Sequence, residues 1–246
     1  MLTNINPLTI LFLDIETVPL AGSWNDLDEE TKLLWQYRTN RFKQLQEEEM
    51  SDDEYYFKKS GVYAEFGKVI CISIGIFRFE NKENETLTLR LKSFYGHNEA
   101  EILKPFFDLL SKSFSAEHFY LCGHNIREFD VPFLCRRAIV NSLSLPDILN
   151  VHTFKPWEQR LIDTMQLWKF GDYKNFTSLN LLTHILDIPS PKTEMDGSMV
   201  ADIYWNEETG LEKIKNYCLN DVVALAQVWL RFHKKPLIKP EHIVYG

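Results

Sequence analysis

Apolar positions recur along the chain with two different periods, which separate predicted strands from predicted helices. Continuous or alternating apolar runs predict strands over residues 8–16, 67–79, 86–96 and 118–125, and a short strand or strand–turn over 160–168. Apolar residues at helical spacing predict helices over 98–113, 129–143, 177–189 and 207–233. Three strands followed by strands and helices in mixture indicate an α/β sheet with helices on its faces.

A strongly charged segment follows the first predicted strand. Residues 23–49 predict a polar helix, and residues 23–55 hold ten acidic and four basic side chains. This segment accounts for −6 of the formal net charge of −8, so the remainder is close to neutral and leaves room for a locally basic groove. We expect one domain over residues 1–246 with an acidic helical insertion at about residues 20–62.

Composition narrows the expected environment of the protein. No apolar run approaches the ~18 residues of a membrane span, and the N-terminus lacks a signal-peptide pattern. The four cysteines lack CxxC spacing and lie in apolar stretches, which is typical of buried thiols in a reducing compartment. We therefore expect a cytoplasmic protein that does not bind membranes.

Two carboxylates interrupt the apolar first strand. Asp14 and Glu16 lie two residues apart in ILFLDIETVP (residues 10–19), so their side chains project from the same face. Neighbouring buried carboxylates repel each other, and one of them takes up a proton unless a cation lies between them. The pair is therefore either a cation site or an ordinary strand end that carries acids for solubility.

Two further acids lie at the margins of core elements. Asp221 flanks the apolar stripe of the last predicted helix, one turn after Tyr217. Asp130 begins a predicted helix after the strand at 118–125, near the sheet edge where α/β proteins bind ligands. Taken singly, Asp130 fits a helix-capping acid and Asp221 fits an ion-pair partner. Taken together with the strand carboxylates, they predict one site.

Three stretches carry a resemblance to a known superfamily. FLDIET, HNIREFDVPF and YCLND resemble, in order, the three motifs of the DEDD 3′-5′ exonucleases, and the Tyr217-x-x-x-Asp221 spacing resembles the DEDDy branch. Within that branch the chain is most similar to the proofreading exonuclease domain of family-B DNA polymerases and its stand-alone bacterial relatives. The stretches LIDTMQLWKF, FTSLNLL and KTEMDGSMV also resemble segments of that family. The resemblance covers residues 8–232 and implies a ribonuclease H-like α/β fold, a mixed β-sheet flanked by helices.

The resemblance also implies an activity and a set of site residues. It implies a metal-dependent exonuclease that hydrolyses phosphodiester bonds at the 3′ end of single-stranded nucleic acid by a two-metal-ion mechanism. The implied catalytic residues are Asp14, Glu16, Asp130, Tyr217 and Asp221. Their carboxylates would hold two Mg²⁺ ions, with Mn²⁺ as a substitute, and Tyr217 would orient the attacking water. Asn125 and Phe129 match positions that face the terminal nucleotides, with core packing as the alternative for Phe129.

Several alternatives stay open at the level of sequence. DNA is the expected substrate because of the polymerase resemblance, but an exoribonuclease of the same superfamily would carry the same motifs. A non-catalytic nucleic-acid-binding scaffold would be expected to lose a metal ligand or the tyrosine. A domain that binds Ca²⁺ for structural reasons leaves Tyr217 unexplained. His124 is expected to be a hydrogen-bonded strand-end residue rather than the catalytic histidine of the DEDDh branch.

Charged residues outside the motifs have weaker assignments. Candidates for phosphate contacts, with solvated surface charges as the alternative, are Arg136, Arg137, Lys169, Lys174 and Lys192. The acidic segment would gate the substrate channel, repel duplex or dock a partner. A proofreading role would require a separate protein partner, since the chain contains no polymerase domain.

Overall fold

A six-stranded mixed β-sheet forms the centre of the computed structural model, which describes residues 5–43, 50–80, 86–155, 158–189 and 195–246. The strands are β1 (Ile10–Pro19), β2 (Gly67–Phe79), β3 (Leu87–Tyr95), β4 (Tyr120–Gly123), β5 (Leu161–Asp163) and β6 (Ile243–Tyr245). They lie in the order β5-β4-β1-β2-β3-β6. β1, β2 and β3 pair antiparallel in succession, whereas β4 is parallel to both β1 and β5, and β6 is parallel to β3. The sheet therefore has the expected mixed arrangement.

Helices lie on both faces of this sheet. Within the described ranges they are α1 (Glu29–Lys43), α2 (Asp52–Lys59), α3 (Glu99–Ser113), α4 (Asp130–Val140), α5 (Thr164–Lys169), α6 (Leu179–Ile185), α7 (Val200–Asn206) and α8 (Gly210–Phe232). On one face of β1, Leu11 and Leu13 pack with α3 and α4. On the opposite face, Ile10 and Phe12 pack beneath α8. β1 is thus buried on both sides, as a central strand of an α/β sheet should be.

The helix α8 lies directly against the sheet because β2 carries a glycine at the contact. A Cβ atom at Gly75 would lie only 2.8 Å from Cγ1 of Val222. Gly75 pairs with Phe12 of β1, on the face that α8 covers. Farther along β1, the Sγ atom of Cys218 donates to the carbonyl oxygen of Asp14 at 3.5 Å. The close contact therefore brings α8 over the part of β1 that carries the carboxylates.

A β-bulge interrupts the β1–β2 ladder beside Glu16. The register shifts between Glu16 and Thr17, where β2 contains one extra residue. The N–H group of Val69 at this bulge donates to Oε1 of Glu99 at 2.7 Å. A side chain from α3 thus satisfies a backbone donor of β2 next to the bulge.

The carboxylate of Glu99 is also one half of a buried ion pair. Arg137 of α4 donates from Nε to Oε1 at 2.9 Å and from Nη2 to Oε2 at 2.6 Å. Both side chains are buried. Asn141 donates to the same carboxylate at 2.7 Å, and Arg137 donates from Nη1 to the carbonyl oxygen of Ala64 at 2.9 Å. This network joins α3 and α4 to the bulge.

The acidic segment folds around aromatic side chains of its own. Trp35 of α1 packs against Tyr55 and Tyr56 of α2 and against Phe66, and all four side chains are buried. The predicted helix over 23–49 is present as α1 from residue 29, and residues 44–49 lie outside the described ranges. α2 was not predicted, although Ser51 and Glu54 form a capping box at its start.

Several other boundaries differ from the sequence-based expectations. The interpretation of residues 160–168 as a strand or strand–turn was wrong beyond residue 163, because α5 begins there. Asp163 caps α5 by accepting the N–H groups of Met165 and Gln166. The short elements α7 and β6 were also not predicted. No helix in the described part of the chain is long and apolar enough to cross a bilayer.

The buried ion pair generates a prediction about stability. Arg137→Met leaves the Glu99 carboxylate buried without its cation, so we expect the free energy of unfolding to fall by about 3–5 kcal/mol. The double variant Glu99→Leu/Arg137→Met removes both charges and should lose less than the sum of the two single variants. Urea denaturation followed by circular dichroism measures these differences.

The pair on α1 between Glu29, whose side chain is 85% exposed, and the partly buried Lys32 provides the control for that prediction. Lys32→Met should change the free energy of unfolding by less than about 1 kcal/mol, because solvent screens this pair. Equal effects of Arg137→Met and Lys32→Met would contradict a structural role for the buried pair.

Candidate active site

Two carboxylates of β1 point into a cleft beneath α8. Glu16 is buried, and Asp14 is partly buried with an Oδ2 atom that has no hydrogen-bond partner among the described residues. Carboxylate oxygens of Asp14 and Glu16 and the Sγ atom of Cys218 lie within 4.8 Å of one another. Two carboxylates and a thiol therefore lie close enough together to share one cation. Because Glu16 is buried, the pair is not an exposed strand end that carries acids for solubility.

The helix α8 adds a tyrosine and a third carboxylate to the cleft. The hydroxyl of Tyr217 lies near the carboxylate of Asp221, one turn farther along the helix. Burial raises the pKa of Asp221 to about 6, against the opposing effect of the Tyr217 hydroxyl. The pKa of Tyr217 is raised by burial and then by the negative charges of Asp221, Glu16 and Asp14. Tyr217 thus faces the carboxylates of both elements and keeps its proton at neutral pH.

The fourth carboxylate belongs to the first turn of α4. Asp130 is the first residue of that helix, and Phe129 precedes it without a side-chain cap, so Asp130 is not the capping residue. Its buried carboxylate lies near the backbone N–H of Ile15, the β1 residue between the two strand carboxylates, and this N–H lowers its pKa. Burial raises the pKa of Asp130 to about 7, and the charge of Asp163 contributes in the same direction. The carboxylate of Asp130 is therefore fixed against β1.

The four carboxylates act on one another electrostatically. The pKa of Asp14 is raised well above its usual value by burial and then by the charges of Glu16, Asp221 and Asp130. The pKa of Glu16 is raised by burial and then by Asp221, Cys71 and Asp130. Protein groups alone thus oppose the ionisation of these carboxylates, which is the situation that a bound cation relieves.

The donor set fits a hard divalent cation. Carboxylate oxygens are the ligands that Mg²⁺ and Mn²⁺ prefer, and the unpartnered Oδ2 of Asp14 is available for coordination. Cys218 offers a softer sulfur atom at the edge of the same cluster. Its Sγ donates to the backbone of Asp14, and burial raises its pKa well above the usual thiol value. The carboxylate oxygens of Asp14 and Glu16 beside a protonated thiol favour Mg²⁺ or Mn²⁺ over a thiophilic ion, whereas Asp130 and Asp221 are not part of this 4.8 Å cluster.

The segment between β4 and α4 is held by a residue that sequence reasoning missed. The carboxylate of Asp163 accepts the backbone N–H groups of Asn125 and Arg127 at 3.1 and 3.2 Å, besides capping α5. Asn125 adopts a left-handed backbone (φ 69°), and its Oδ1 is buried with no partner among the described residues. An Asp directly before a short helix was the available signal for Asp163, but that helix was itself not predicted.

His124 is a hydrogen-bonded strand-end residue, as expected. It is hydrogen-bonded through Nδ1 to Oγ1 of Thr164 at 2.9 Å and through Nε2 to the carbonyl oxygen of Thr177 at 2.8 Å. Burial lowers its pKa, which favours the neutral ring with the proton on Nε2, since a carbonyl oxygen only accepts. Both nitrogens are hydrogen-bonded, so His124 links the end of β4 to the start of α5 and to the segment that precedes α6.

The remaining candidates differ in their surroundings. Phe129 is half-buried, packs against the apolar core and lies 5.5 Å from Phe133 between ring centroids, so part of its surface serves packing. Arg137 is engaged in the buried ion pair, and Lys169 is buried against Phe176. Neither side chain is free to contact a phosphate, so both assignments to phosphate contacts were wrong. The side chains of Arg136 and Lys174 are exposed, whereas Lys192 lies outside the described residues.

Comparisons with known proteins identify the fold and the family. Residues 62–236 match a family model described as a predicted 3′-5′ exonuclease related to the exonuclease domain of PolB. The fold is similar to that of the family B DNA polymerase from the hyperthermophilic archaeon Pyrobaculum calidifontis, with a TM-score of 0.55 and 16% sequence identity. That match covers 93% of this chain and 24% of the polymerase chain. No curated protein matches the sequence significantly.

The two matches carry different weight. The structural similarity, at 16% identity, confirms the expected ribonuclease H-like fold of the polymerase exonuclease domain. The family match extends over more than half of the sequence, from the end of the acidic segment through α8. The chain therefore belongs to the family of predicted 3′-5′ exonucleases related to the exonuclease domain of PolB.

Proposed function

We propose that the protein is a metal-dependent 3′-5′ exonuclease that removes nucleotides from the 3′ end of single-stranded nucleic acid, with DNA preferred over RNA. The observation that carries this proposal is the pair Asp14 and Glu16 of β1, whose carboxylate oxygens lie within 4.8 Å of each other and interact electrostatically with Asp130 of α4 and with Asp221 and Tyr217 of α8. Membership of the PolB-related exonuclease family supports the reaction class. The preference for DNA rests on the family relationship.

The proposed metal ligands are the carboxylates of Asp14, Glu16, Asp130 and Asp221. They would hold two Mg²⁺ ions, or Mn²⁺ as a substitute, in line with their oxygen donors and their unbalanced negative charge. Bound divalent ions would supply an activated water at neutral pH and stabilise charge on the attacking and leaving oxygens. Without cations the same carboxylates would repel the phosphodiester at the 3′ end of the substrate.

Residues of the chain would then orient the substrate and the attacking water. The hydroxyl of Tyr217 stays protonated at neutral pH, so it would act as a hydrogen-bond donor or acceptor towards water and not as a base. The buried Oδ1 of Asn125 would accept a hydrogen bond from the terminal nucleotide. The uncovered part of the Phe129 ring would contact the terminal base.

The same site leaves two alternative activities to be tested. An exoribonuclease would use the same carboxylates and differ in contacts to the 2′-hydroxyl. A non-catalytic scaffold would bind single strands without hydrolysis, but the presence of all four carboxylates and Tyr217 favours the enzyme.

We also propose that residues 1–246 form one functional unit with the acidic segment as an insertion. The side chain of Thr17 at the end of β1 donates to the carbonyl oxygen of Gly61 at 2.7 Å, and Leu20 donates through its N–H to the carbonyl of Phe66 at 3.0 Å. These bonds tie the insertion to the strand that carries the site. The buried free thiols of Cys71, Cys122 and Cys218 are consistent with the proposed cytoplasmic location.

Removal of one strand carboxylate tests the proposed reaction. We expect Asp14→Asn to lower the rate of hydrolysis about 10³-fold, because a lost metal ligand forfeits several kcal/mol of transition-state stabilisation. The assay follows 5′-labelled single-stranded DNA and RNA oligomers with Mg²⁺, Mn²⁺ or EDTA, and the faster substrate identifies the preferred sugar. Asp108→Asn, at an exposed position on α3, is the control and should retain full activity. Equal activity in Asp14→Asn would refute the assignment.

The hydroxyl of Tyr217 generates a separate prediction. Tyr217→Phe removes the hydroxyl near Asp221, which is the group proposed to orient water, while it leaves all four carboxylates in place. We expect kcat to fall about 10–100-fold with KM and Mn²⁺ affinity changed less than about threefold. Single-turnover kinetics and Mn²⁺ titration measure the two effects. An unchanged kcat would remove Tyr217 from the catalytic set.

The raised carboxylate pKa values predict how stability depends on pH when metal is absent. The folded-state pKa values of Asp130 and Asp221, about 7 and about 6, exceed the usual value of 3.8, so the folded protein binds more protons than the unfolded chain. Their contribution to stability is full below about pH 4 and is lost as pH rises through 6 and 7. Mn²⁺ requires the ionised carboxylates, so its stabilising effect should increase over the same interval.

Thermal unfolding checks this pH dependence directly. In EDTA we expect the Tm to fall by about 4–8 °C between pH 5 and pH 8, and Mn²⁺ to raise the Tm more at pH 8 than at pH 5. Asp130→Asn should flatten the EDTA profile, and Asp108→Asn should leave it unchanged. A Tm rise with pH in EDTA, or equal Mn²⁺ effects at both pH values, would contradict the electrostatics of the cleft.

A further inference from the structure

The segment between α5 and α6 exposes three aromatic rings within seven residues. Phe170 is 80% exposed, Tyr173 is 88% exposed and Phe176 is 67% exposed. We call residues 170–176 the aromatic loop. Clustered exposure of large apolar side chains marks interaction sites on protein surfaces. The proposed catalytic set uses none of these residues.

The backbone of the aromatic loop holds its rings outward. Phe170 ends α5 in the left-handed conformation (φ 47°), and Gly171 follows at φ 90°. A left-handed backbone is unfavourable for a bulky aromatic residue, and Phe170 adopts it as the C-cap of α5. The buried side chain of Lys169 places Nζ 3.7 Å from the centroid of the Phe176 ring, which ties the start of the loop to its end.

The aromatic loop returns to the main fold beside the candidate active site. Thr177, directly after the loop, accepts a hydrogen bond from Nε2 of His124 at 2.8 Å. Cys122 of β4 pairs with Phe12 of β1, so His124 and Asp14 lie two residues farther along these parallel strands. The loop therefore borders the cleft on the side of β4, next to the segment that carries Asn125.

Charge distinguishes this surface from another exposed apolar surface of the protein. The aromatic loop carries one exposed base, Lys174, and one exposed acid, Asp172, so its formal charges balance. On α1, by contrast, the exposed Tyr37 belongs to a segment with a net charge of −6, which repels polyanions. Aromatic faces combined with a basic side chain are the features that bind single-stranded nucleic acid.

We propose that the aromatic loop binds the substrate strand upstream of its 3′ end, with bases stacked on Phe170, Tyr173 and Phe176. This inference rests on the proposed function, since the strand is taken to enter the cleft between α8 and β4. Stacking is tolerant of sequence because every base has a π face, so the loop would raise affinity without selecting particular bases. Lys174 would pair with a phosphate of the same segment.

Binding without cleavage provides the first test. Fluorescence anisotropy in EDTA measures the Kd for a labelled DNA oligomer of about 12 nucleotides, a length in the range of a single-strand binding site. We expect Phe170→Ala/Tyr173→Ala to raise the Kd tenfold or more, and Phe170→Tyr/Tyr173→Phe to restore it. Tyr37→Ala, the loss of an equally exposed aromatic ring on α1, should have no effect.

An oligomer with abasic sites upstream of its two terminal nucleotides identifies stacking as the cause. Wild-type protein should bind this oligomer as weakly as the alanine double variant binds the unmodified one. The double variant should not distinguish the two oligomers. Equal affinity of wild type and variant for the unmodified oligomer would overturn the proposal, and so would a loss of affinity that is independent of the upstream bases.

Kinetics separate this proposal from the proposed function. The double variant should raise KM for the oligomer tenfold or more with kcat within about twofold, and it should hydrolyse a dinucleotide like wild type, since a dinucleotide has no upstream bases. A slower dinucleotide reaction together with a lower Tm would indicate a structural role and overturn the proposal. If wild type binds through the loop but cleaves neither substrate, the proposed function fails while the binding surface stands. If wild type cleaves the oligomer and the loop variants bind it as tightly as wild type does, the proposed binding surface fails while the proposed function stands.

Discussion

Mutual repulsion among four carboxylates, two buried and two partly buried, is the constraint on which this structure depends. Burial and neighbouring negative charges raise the pKa of Asp14 and Glu16 well above the usual range, so a loosely held site would separate them or take up protons. The fold prevents this separation because β1, α4 and α8, which carry the carboxylates, are each held by contacts of their own. Gly75 lets α8 lie directly on the sheet, and the Glu99–Arg137 pair fastens α4 to the bulge beside Glu16. The free energy needed to hold the carboxylates together therefore comes from core packing outside the cleft.

This arrangement gives the buried ion pair a role that its own energy does not explain. A buried pair is weak evidence for stability, since desolvation of both charges offsets much of their attraction. Here Glu99 also accepts the N–H group of Val69 next to the bulge, and Arg137 also donates to the carbonyl of Ala64. The pair thus sets the position of α4, and with it Asp130, relative to the bulged end of β1. Its contribution is geometric as much as energetic.

Local pattern in the sequence predicted the long elements and the motif residues, and it failed where distant contacts decide structure. The period of apolar residues gave β2 its exact bounds and placed Asp14, Glu16 and Asp221 on core elements, because burial of one face is a local property of strand and helix. Arg137 was assigned to phosphate because its partner Glu99 is 38 residues away in sequence. The short elements α5, α7 and β6 depend on tertiary packing rather than on propensity, which is why the double role of Asp163 was missed.

Charge and aromatic surface are distributed unequally around the cleft, and this asymmetry bears on how a single strand would approach. The acidic insertion is bonded to the end of β1 through Thr17 and Leu20, on the side of β2. The aromatic loop borders the cleft on the opposite side, next to β4. A polyanion is repelled by the first surface and finds stacking partners on the second. Under the proposed function, the strand would therefore enter across the aromatic loop, and the acidic helices would limit how far bulky duplex extends past the carboxylates.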